Sequence, residues 1–338
     1  MKAFVLHGVN DLRYDEIPLP ECPVGWALVQ VKAAGICSSD IARIFTKGTY
    51  HFPTVPGHEF AGVVCSVGDA QDAFLVGKRV GVFPLIPCRE CPQCAEKKYE
   101  MCKHYDYVGS RRDGGFAEYV CVPVWNLIPL DDNISFTSAA MLEPLCVALH
   151  ACKLLQIEVG QSVGIIGTGM IAISAAQWAL AQGAAQVTII GRNESKRERI
   201  ELNGINYSVC IESDKVNLFD AVLEAVGTQS AIDLSIHAAK PGARLVLMGN
   251  PDSDILFSQN TYWRILRKQL SLQGTWNSSY DGCAPSDWTE AIDSLVRGVI
   301  NVSNLISHSF PQERLMDGLQ LMREHCVPFC KVMTVWNE

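Results

Sequence analysis

The segment Ser162-Val163-Gly164-Ile165-Ile166-Gly167-Thr168-Gly169-Met170-Ile171-Ala172 limits the fold more than any other part of this chain. An apolar run ends in Gly-x-Gly-x-x-Ala and passes directly into a helical pattern, the arrangement that presents a turn and a helix start to a dinucleotide pyrophosphate. Gly167 permits the tight turn, Gly169 lets the backbone approach the phosphates, and Ala172 is small enough for close helix packing. Met170 and Ile171 complete the expected cofactor contacts where the helix begins. A simple packing turn is the competing reading. The turn lies inside a stretch, Val159 to Gly191, that contains no Asp, Glu, Lys or Arg. Gly160, Gly164, Gly167, Gly169 and Gly183, with Gln161, Gln177, Gln182 and Gln186, divide that stretch into strand, turn, helix and strand. It therefore reads as buried core and not as a membrane span.

The same alternation continues on both sides. Strands are expected at Ser162 to Gly167, Gln186 to Ile190, Phe219 to Ala225 and Ala243 to Gly249, and helices at Met170 to Gln182, Lys196 to Asn203 and Gln229 to Ala239. Strand and helix in turn imply a parallel sheet covered on both faces. A helical band precedes this region between Ser135 and Gln156. The first third differs: short apolar runs such as Ala3 to His7, Ala27 to Ala33, Val63 to Gly68 and Gly77 to Val82 alternate with turn residues, which predicts a β-rich unit. After Leu272 to Thr275, a further strand, come a helix around Trp288 to Val296 and a strand at Cys330 to Trp336. This tail is expected to return to the first unit. The fold class is thus α/β, a β-rich unit joined to a doubly wound parallel sheet.

At the end of the second strand of that sheet, where an acid would bond both ribose hydroxyls of NAD(H), the chain reads Ile189-Ile190-Gly191-Arg192-Asn193. The missing carboxylate at Gly191, and the cations Arg192 and Lys196, favour NADP(H) over NAD(H), because a 2′-phosphate needs positive donors. The alternative is that Arg192 is an ordinary solvated loop residue.

Cys88, Cys91, Cys94 and Cys102 follow the pattern C-x2-C-x2-C-x7-C, with Pro87 and Pro92 bending the loop between them. Four thiolates at this spacing satisfy a tetrahedral zinc ion and leave no position for substrate, which makes a structural site. An iron–sulfur cluster and four unrelated thiols are the competing readings. The chain has 14 cysteines in 338 residues, and no export signal is expected, since the apolar segment within Met1 to His7 is too short for one. A reduced, cytoplasmic setting with thiolate metal ligands is therefore expected. A formal net charge of −8 argues against general binding to nucleic acid or to an anionic membrane surface.

Gly57-His58-Glu59 sets an imidazole beside a carboxylate, just after Pro53 and Pro56 have restricted the incoming backbone. Such a pair alone is weak. Read with Gly35-Ile36-Cys37-Ser38-Ser39-Asp40 before it, Leu142-Glu143-Pro144 after it, the cysteine quartet and the nucleotide turn, it makes the whole chain resemble the zinc-dependent medium-chain alcohol dehydrogenases. Within that family the likeness is to the polyol branch. The run from Tyr105 to Tyr119, with Asp40 to Phe45 and Arg264 to Lys268, narrows it towards dehydrogenases of polyol phosphates.

The resemblance implies a GroES-like catalytic domain over residues 1–146 and 283–338, a Rossmann dinucleotide-binding domain over 147–282, and two zinc ions, one catalytic and one structural. It makes Cys37, His58 and Glu143 the protein ligands of the catalytic zinc. Glu59 is then a neighbouring or interchangeable carboxylate. Zinc with an open position lowers the pKa of a bound hydroxyl, and hydride passes to the nicotinamide. Ser39 is implied as the first acceptor in the proton path, Asp40 as the residue that holds the loop, and Arg43 as a substrate contact able to clamp a phosphate. Lys47, Arg264, Arg267 and Lys268 are further cations that a phosphate could meet. The expected enzyme interconverts a polyol or polyol phosphate with its ketose, as a homodimer or homotetramer joined partly through Leu272 to Thr275. A threonine- or butanediol-type dehydrogenase is the second reading, and a non-catalytic nucleotide-binding protein the third.

Overall fold

The computed structural model describes residues 1–209 and 217–336. They form two units, Met1–Pro144 with Ser279–Glu338 and Leu145–Ser278. The first division falls within helix Leu142–Leu155.

The first unit is built on strand Trp26–Ile36, whose 11 residues are long enough to take several partners. Glu59–Val67 runs antiparallel along one edge, while Tyr119–Pro123 and Lys331–Val335 share the other, the former beside Trp26 to Gln30 and the latter beside Ala33 to Ile36. Arg79–Val82, Leu127–Pro129 and Ile306–Pro311 complete seven strands. Val29, Val31 and Ile36 favour the extended backbone and are buried, and they join Phe4, Leu6, Phe60, Val64, Val332 and Trp336 in one apolar core. Each large side chain removed from water there contributes about 1.5–3 kcal/mol. The pairing register also fixes where a lysine enters. Gly35 lies opposite Glu59 on one side and Met333 on the other, so Lys331 joins the sheet next to the end of the strand that leads into Cys37.

The second unit holds six parallel strands in the order Asn206–Val209, Gln186–Gly191, Ser162–Ile166, Phe219–Glu224, Ala239–Leu247, Ser271–Gly274. Its first strand in chain order, Ser162–Ile166, lies between the two halves of the sheet. The order therefore reverses between it and Phe219–Glu224, the place where open parallel sheets bind ligands beyond their carboxyl ends. Buried β-branched residues fill this strand because both of its faces are covered.

Some elements depart from expectation. The band from Ser135 to Gln156 is two helices, Phe136–Ala139 and Leu142–Leu155. Helices Gln259–Lys268 and Leu315–Glu324 were not foreseen, nor were strands Asp11–Glu16, Tyr119–Pro123 and Ile306–Pro311. Asp11–Glu16 carries charge at most of its positions and is half exposed, so a two-residue alternation is hard to see in it. Gln259–Lys268 has an apolar stripe at helical spacing, Tyr262, Trp263, Ile265 and Leu266, but none of its residues is fully buried and the stripe covers little more than two turns, which is short for a recognisable period. No described helix is long and apolar enough to cross a membrane.

Candidate active site

Strand pairing delivers the candidate ligands. Cys37 follows the central strand and caps the short helix Ser38–Ala42. Glu59 opens the neighbouring strand with His58 just before it, and the segment leading in is fixed on both sides: Val55 N–H donates to Asp113 at 2.9 Å, and Phe116 N–H donates to Pro56 O at 3.0 Å. One donor atom from each of Cys37, His58 and Glu59 lies within 4.8 Å of the other two. Thiol, imidazole and carboxylate so close together, with His58 and Glu59 buried, match the mixed donor set of a zinc ion. Glu143 is outside this group of three. Buried at the start of its helix, it accepts a hydrogen bond from the Tyr107 hydroxyl at 3.0 Å. Its carboxyl is pushed up by burial and by Glu59, against the pull of His58, Tyr107 and Lys331.

Asp40 does more than hold the loop. Fully buried, it accepts the Cys37 N–H at 3.0 Å and an Arg43 N–H at 3.3 Å, and its Oδ1 lies 3.4 Å from His58 Nδ1. Burial opposes its charge, but His58, Arg43 and the Cys37 N–H outweigh burial and keep it low. Burial likewise opposes charge on His58, and Asp40 and Cys37 reverse that effect. The contact with Nδ1 is one of charge and not a well-formed hydrogen bond, and a carboxylate on that side strengthens Nε2 as a metal donor.

Ser39 donates its hydroxyl to Cys37 Sγ at 3.2 Å and accepts Arg43 Nη1 at 2.8 Å. Both Arg43 bonds use Nη1. Tyr107, whose ring stands edge-on 5.7 Å from His58, stays a phenol because burial and Glu143 raise its pKa well above the ordinary value.

Lys331 was missed in the sequence. It is buried and forms an ion pair with Glu59 Oε2. Burial alone would push its ammonium down, but Glu59 and Cys37 turn the shift upward. The pair passes over Gly35, where a Cβ would lie 2.4 Å from Glu59 Oε2 and 2.7 Å from Lys331 Cε. The available signal was a lone lysine heading the uncharged, mostly apolar run Val332 to Trp336.

The cysteine quartet forms a separate site. Sulfur–sulfur separations are 3.4 Å for Cys88 and Cys102, 3.6 Å for Cys91 and Cys94, and 3.9 Å for both Cys88–Cys94 and Cys91–Cys102. Four sulfurs on a tetrahedron about 2.3 Å from a central zinc stand about 3.8 Å apart. The quartet therefore fits one ion, and it is too tight for a cluster of several irons. Backbone N–H groups of Lys103 and Cys94 draw the Cys91 thiol down to about 6. Burial holds Cys94 up at about 12.

In the second unit, Gly167 adopts φ 127° and donates its N–H to Ile190 O at 3.0 Å. Gly169 caps helix Met170–Ala181, which Met170 and Ile171 begin, and no atom lies within 4 Å of where its Cβ would stand. The backbone there is open to an approaching anion. At Gly191 the reverse holds: a Cβ would meet Thr168 Cγ2 at 2.3 Å and the Tyr207 hydroxyl at 2.5 Å. Any side chain at this strand end would have to displace Thr168 and Tyr207. Arg192 is exposed and forms no ion pair among the described residues. Lys196 ends the 3-10 turn Glu194–Lys196, which Asn193 caps by accepting the Ser195 N–H at 3.0 Å. Of the other cations, Lys268 donates to the carbonyls of Ile236, His237 and Ala239, and Arg264 contacts His237.

Residues 23–132 match the alcohol dehydrogenase GroES-like domain, and residues 167–297 match the zinc-binding dehydrogenase domain. Galactitol 1-phosphate 5-dehydrogenase of Escherichia coli (strain K12) is 32% identical over 341 residues, covering 97% of this chain and 98% of that protein. The crystal structure of galactitol-1-phosphate dehydrogenase from Escherichia coli superposes with a TM-score of 0.92 at 31% identity, covering 99% of this chain and 100% of that one. A zinc-binding dehydrogenase from Sinorhizobium meliloti 1021 bound to NADP gives 0.89 at 27% identity, covering 99% and 98% of the two chains. An alcohol dehydrogenase from Escherichia coli CFT073 complexed with NADH gives 0.91 at 27%, covering 99% of each. Similar along nearly its full length and across both of its units, the chain belongs to the zinc-binding medium-chain alcohol and polyol dehydrogenases.

Proposed function

We propose that the protein is a cytoplasmic zinc enzyme that interconverts a polyol or polyol phosphate with its ketose, using NADP(H). The observation that carries this reading is the convergence of Cys37, His58 and Glu59 within 4.8 Å, beside a buried Glu143. Cys37, His58 and Glu143 would hold the catalytic zinc, and Glu59 would stand next to it as an exchangeable carboxylate. When bound, zinc supplies Lewis acidity that eases deprotonation of a substrate hydroxyl, and the nicotinamide supplies hydride exchange.

The chain's own residues do the rest. Asp40 sets a negative charge against the Nδ1 edge of His58, and Tyr107 directs the Glu143 carboxylate by donating to it. Lys331 offsets the charge of Glu59, which limits how many uncompensated carboxylates the site must carry. Ser39 would relay the substrate proton, its Oγ taking that proton while the hydroxyl's own proton passes to water. Arg43, with Nη2 and Nε not engaged by Ser39 or Asp40, orients substrate oxygens. Gly167, Gly169, Met170 and Ile171 receive the pyrophosphate, and Arg192 and Lys196 the 2′-phosphate. The absence of a carboxylate at Gly191, where Thr168 and Tyr207 crowd the Cβ position, supports NADP(H). Assembly as a homodimer or homotetramer is supported by the exposed Tyr262, Trp263, Leu266 and Trp276 near the sheet-edge strand Ser271–Gly274. Sedimentation as a monomer at micromolar concentration would reject that part.

The deciding experiment assays sugar alcohols and their phosphates, with both cofactors side by side, on wild-type and Cys37→Ser protein. Turnover should vanish in the variant while cofactor binding survives. Retained activity in Cys37→Ser excludes this zinc mechanism, and a tenfold better efficiency with NAD(H) excludes the cofactor assignment.

A further inference from the structure

Arg111 differs from the arginines near it. Arg43 is paired with Asp40, and Arg112 with Asp106 at 2.8 Å. Arg111 pairs with no carboxylate among the described residues. Its guanidinium carbon instead lies 4.3 Å from the ring centre of Tyr50 and 4.5 Å from that of Tyr105. Nη1 donates to Tyr105 O at 2.7 Å and Nη2 to the Tyr50 hydroxyl at 3.3 Å, while the buried Nε has no partner. The loop beneath it is tied down, since Thr49 donates to Ser110 O and His51 Nε2 lies 3.1 Å from Arg111 O. A guanidinium clamped between two rings has already lost its rotamer freedom, so little more is lost when an anion binds.

Aromatic contacts connect this arginine to the candidate metal ligands. The Tyr105 ring is 6.1 Å from Tyr107, and Tyr107 stands beside His58 and bonds Glu143. In a chain of net charge −8, an ordered cation without an acid, on the flank of a site expected to take polyols, is suited to a doubly charged oxyanion. We infer that Arg111, assisted by the Tyr50 hydroxyl, reads the phosphate of a polyol monophosphate whose reacting hydroxyl lies at Cys37 and His58. Arg111 is then the residue that sets specificity for the phosphorylated substrate. This inference rests on the polyol reading of the same site.

The test compares wild type, Arg111→Gln and Arg111→Lys on a hexitol and on the same hexitol 1-phosphate. A parallel arm titrates inorganic phosphate while following the thermal midpoint. The expected result is a ratio of kcat/KM, ester over free hexitol, that falls roughly 10- to 100-fold in Arg111→Gln, the loss of one charge-assisted contact. The fall should lie in KM. Arg111→Lys should drop part of the way, because an ammonium keeps the charge without the planar fork, and it serves if the glutamine variant does not fold. Phosphate should raise the midpoint of wild type and not of Arg111→Gln. A ratio that stays constant while both activities fall marks a merely structural arginine and overturns the inference, as does an equal phosphate shift in all three proteins. If wild type turns over neither substrate with either cofactor, the polyol reading fails, and the phosphate titration alone decides whether Arg111 binds the anion.

Discussion

Replacing Lys331 by Met keeps most of the side-chain bulk and removes the ammonium from a place where nothing else can reach Glu59 from solvent. Lys331 is 4% exposed and Glu59 1% exposed, and Glu143 adds a second carboxylate to the same surroundings. Removing one partner from such a pair leaves a buried, uncompensated charge, at a cost of about 3–5 kcal/mol. For a unit of this size, at about 2–4 °C per kcal/mol, the thermal midpoint should fall by roughly 6–20 °C. Zinc-loaded protein should lie at the lower end, because a dication offsets part of the charge. Differential scanning calorimetry of wild type, Lys331→Met, Glu59→Gln and the double variant isolates the pair. With both charges gone no lone ion remains, so the double variant should recover at least half of the loss. A Lys331→Met midpoint within about 3 °C of wild type, or strictly additive losses, would refute the reasoning.

Other outcomes follow from the same geometry. Cys91→Ser breaks the sulfur tetrahedron, so the purified protein should carry one zinc fewer per chain and unfold at lower urea; unchanged metal content would count against a structural ion there. Arg192→Gln should cut the kcat/KM ratio of NADPH to NADH roughly 10- to 100-fold, and an unchanged ratio would remove Arg192 from the cofactor site. Burial pushes Asp220 up, but hydrogen bonds from Lys240 and Ser162 outweigh it and hold the carboxyl at about 2. Its contribution is therefore present above the ordinary carboxyl pKa of about 4 and is lost as pH falls towards 2; with both partners partly exposed it is worth about 1 kcal/mol or less. Asp220→Asn should remove that acid-limb step, and a melting profile between pH 4 and 2 that matches wild type would contradict it. Gly191→Ala should destabilise by about 1–3 kcal/mol, because its Cβ runs into Thr168 and Tyr207; a neutral result would mean that this strand end yields easily.

What was legible in the sequence was local. The nucleotide turn needs only eleven consecutive residues to declare a strand, two glycines and a helix. The cysteine quartet declares itself because its ligands share one loop. Residues 37, 58 and 59 also sit near one another in the chain, at the ends of adjacent strands. Lys331 and Tyr107 were invisible as parts of the site, since their positions depend on which strands become neighbours and in what register. Lysine and tyrosine carry no motif of their own. Strand Ile306–Pro311 and helix Leu315–Glu324 escaped for a related reason: their apolar residues face a core assembled mostly from the other end of the chain. Gly35 and Gly191 looked like ordinary glycines until their neighbours were in place.

Strand Lys331–Val335 also sets an order of assembly. Its partner, Ala33 to Ile36, is joined to Glu59–Val67 by the 22 residues from Cys37 to His58, but is separated from Lys331–Val335 by the whole of Leu145–Ser278 and more. Long-range pairing of this kind comes late because the intervening chain has to be closed first. The buried pair of Lys331 with Glu59 therefore joins two stretches of chain about 270 residues apart, and it is complete only once the last strand has docked.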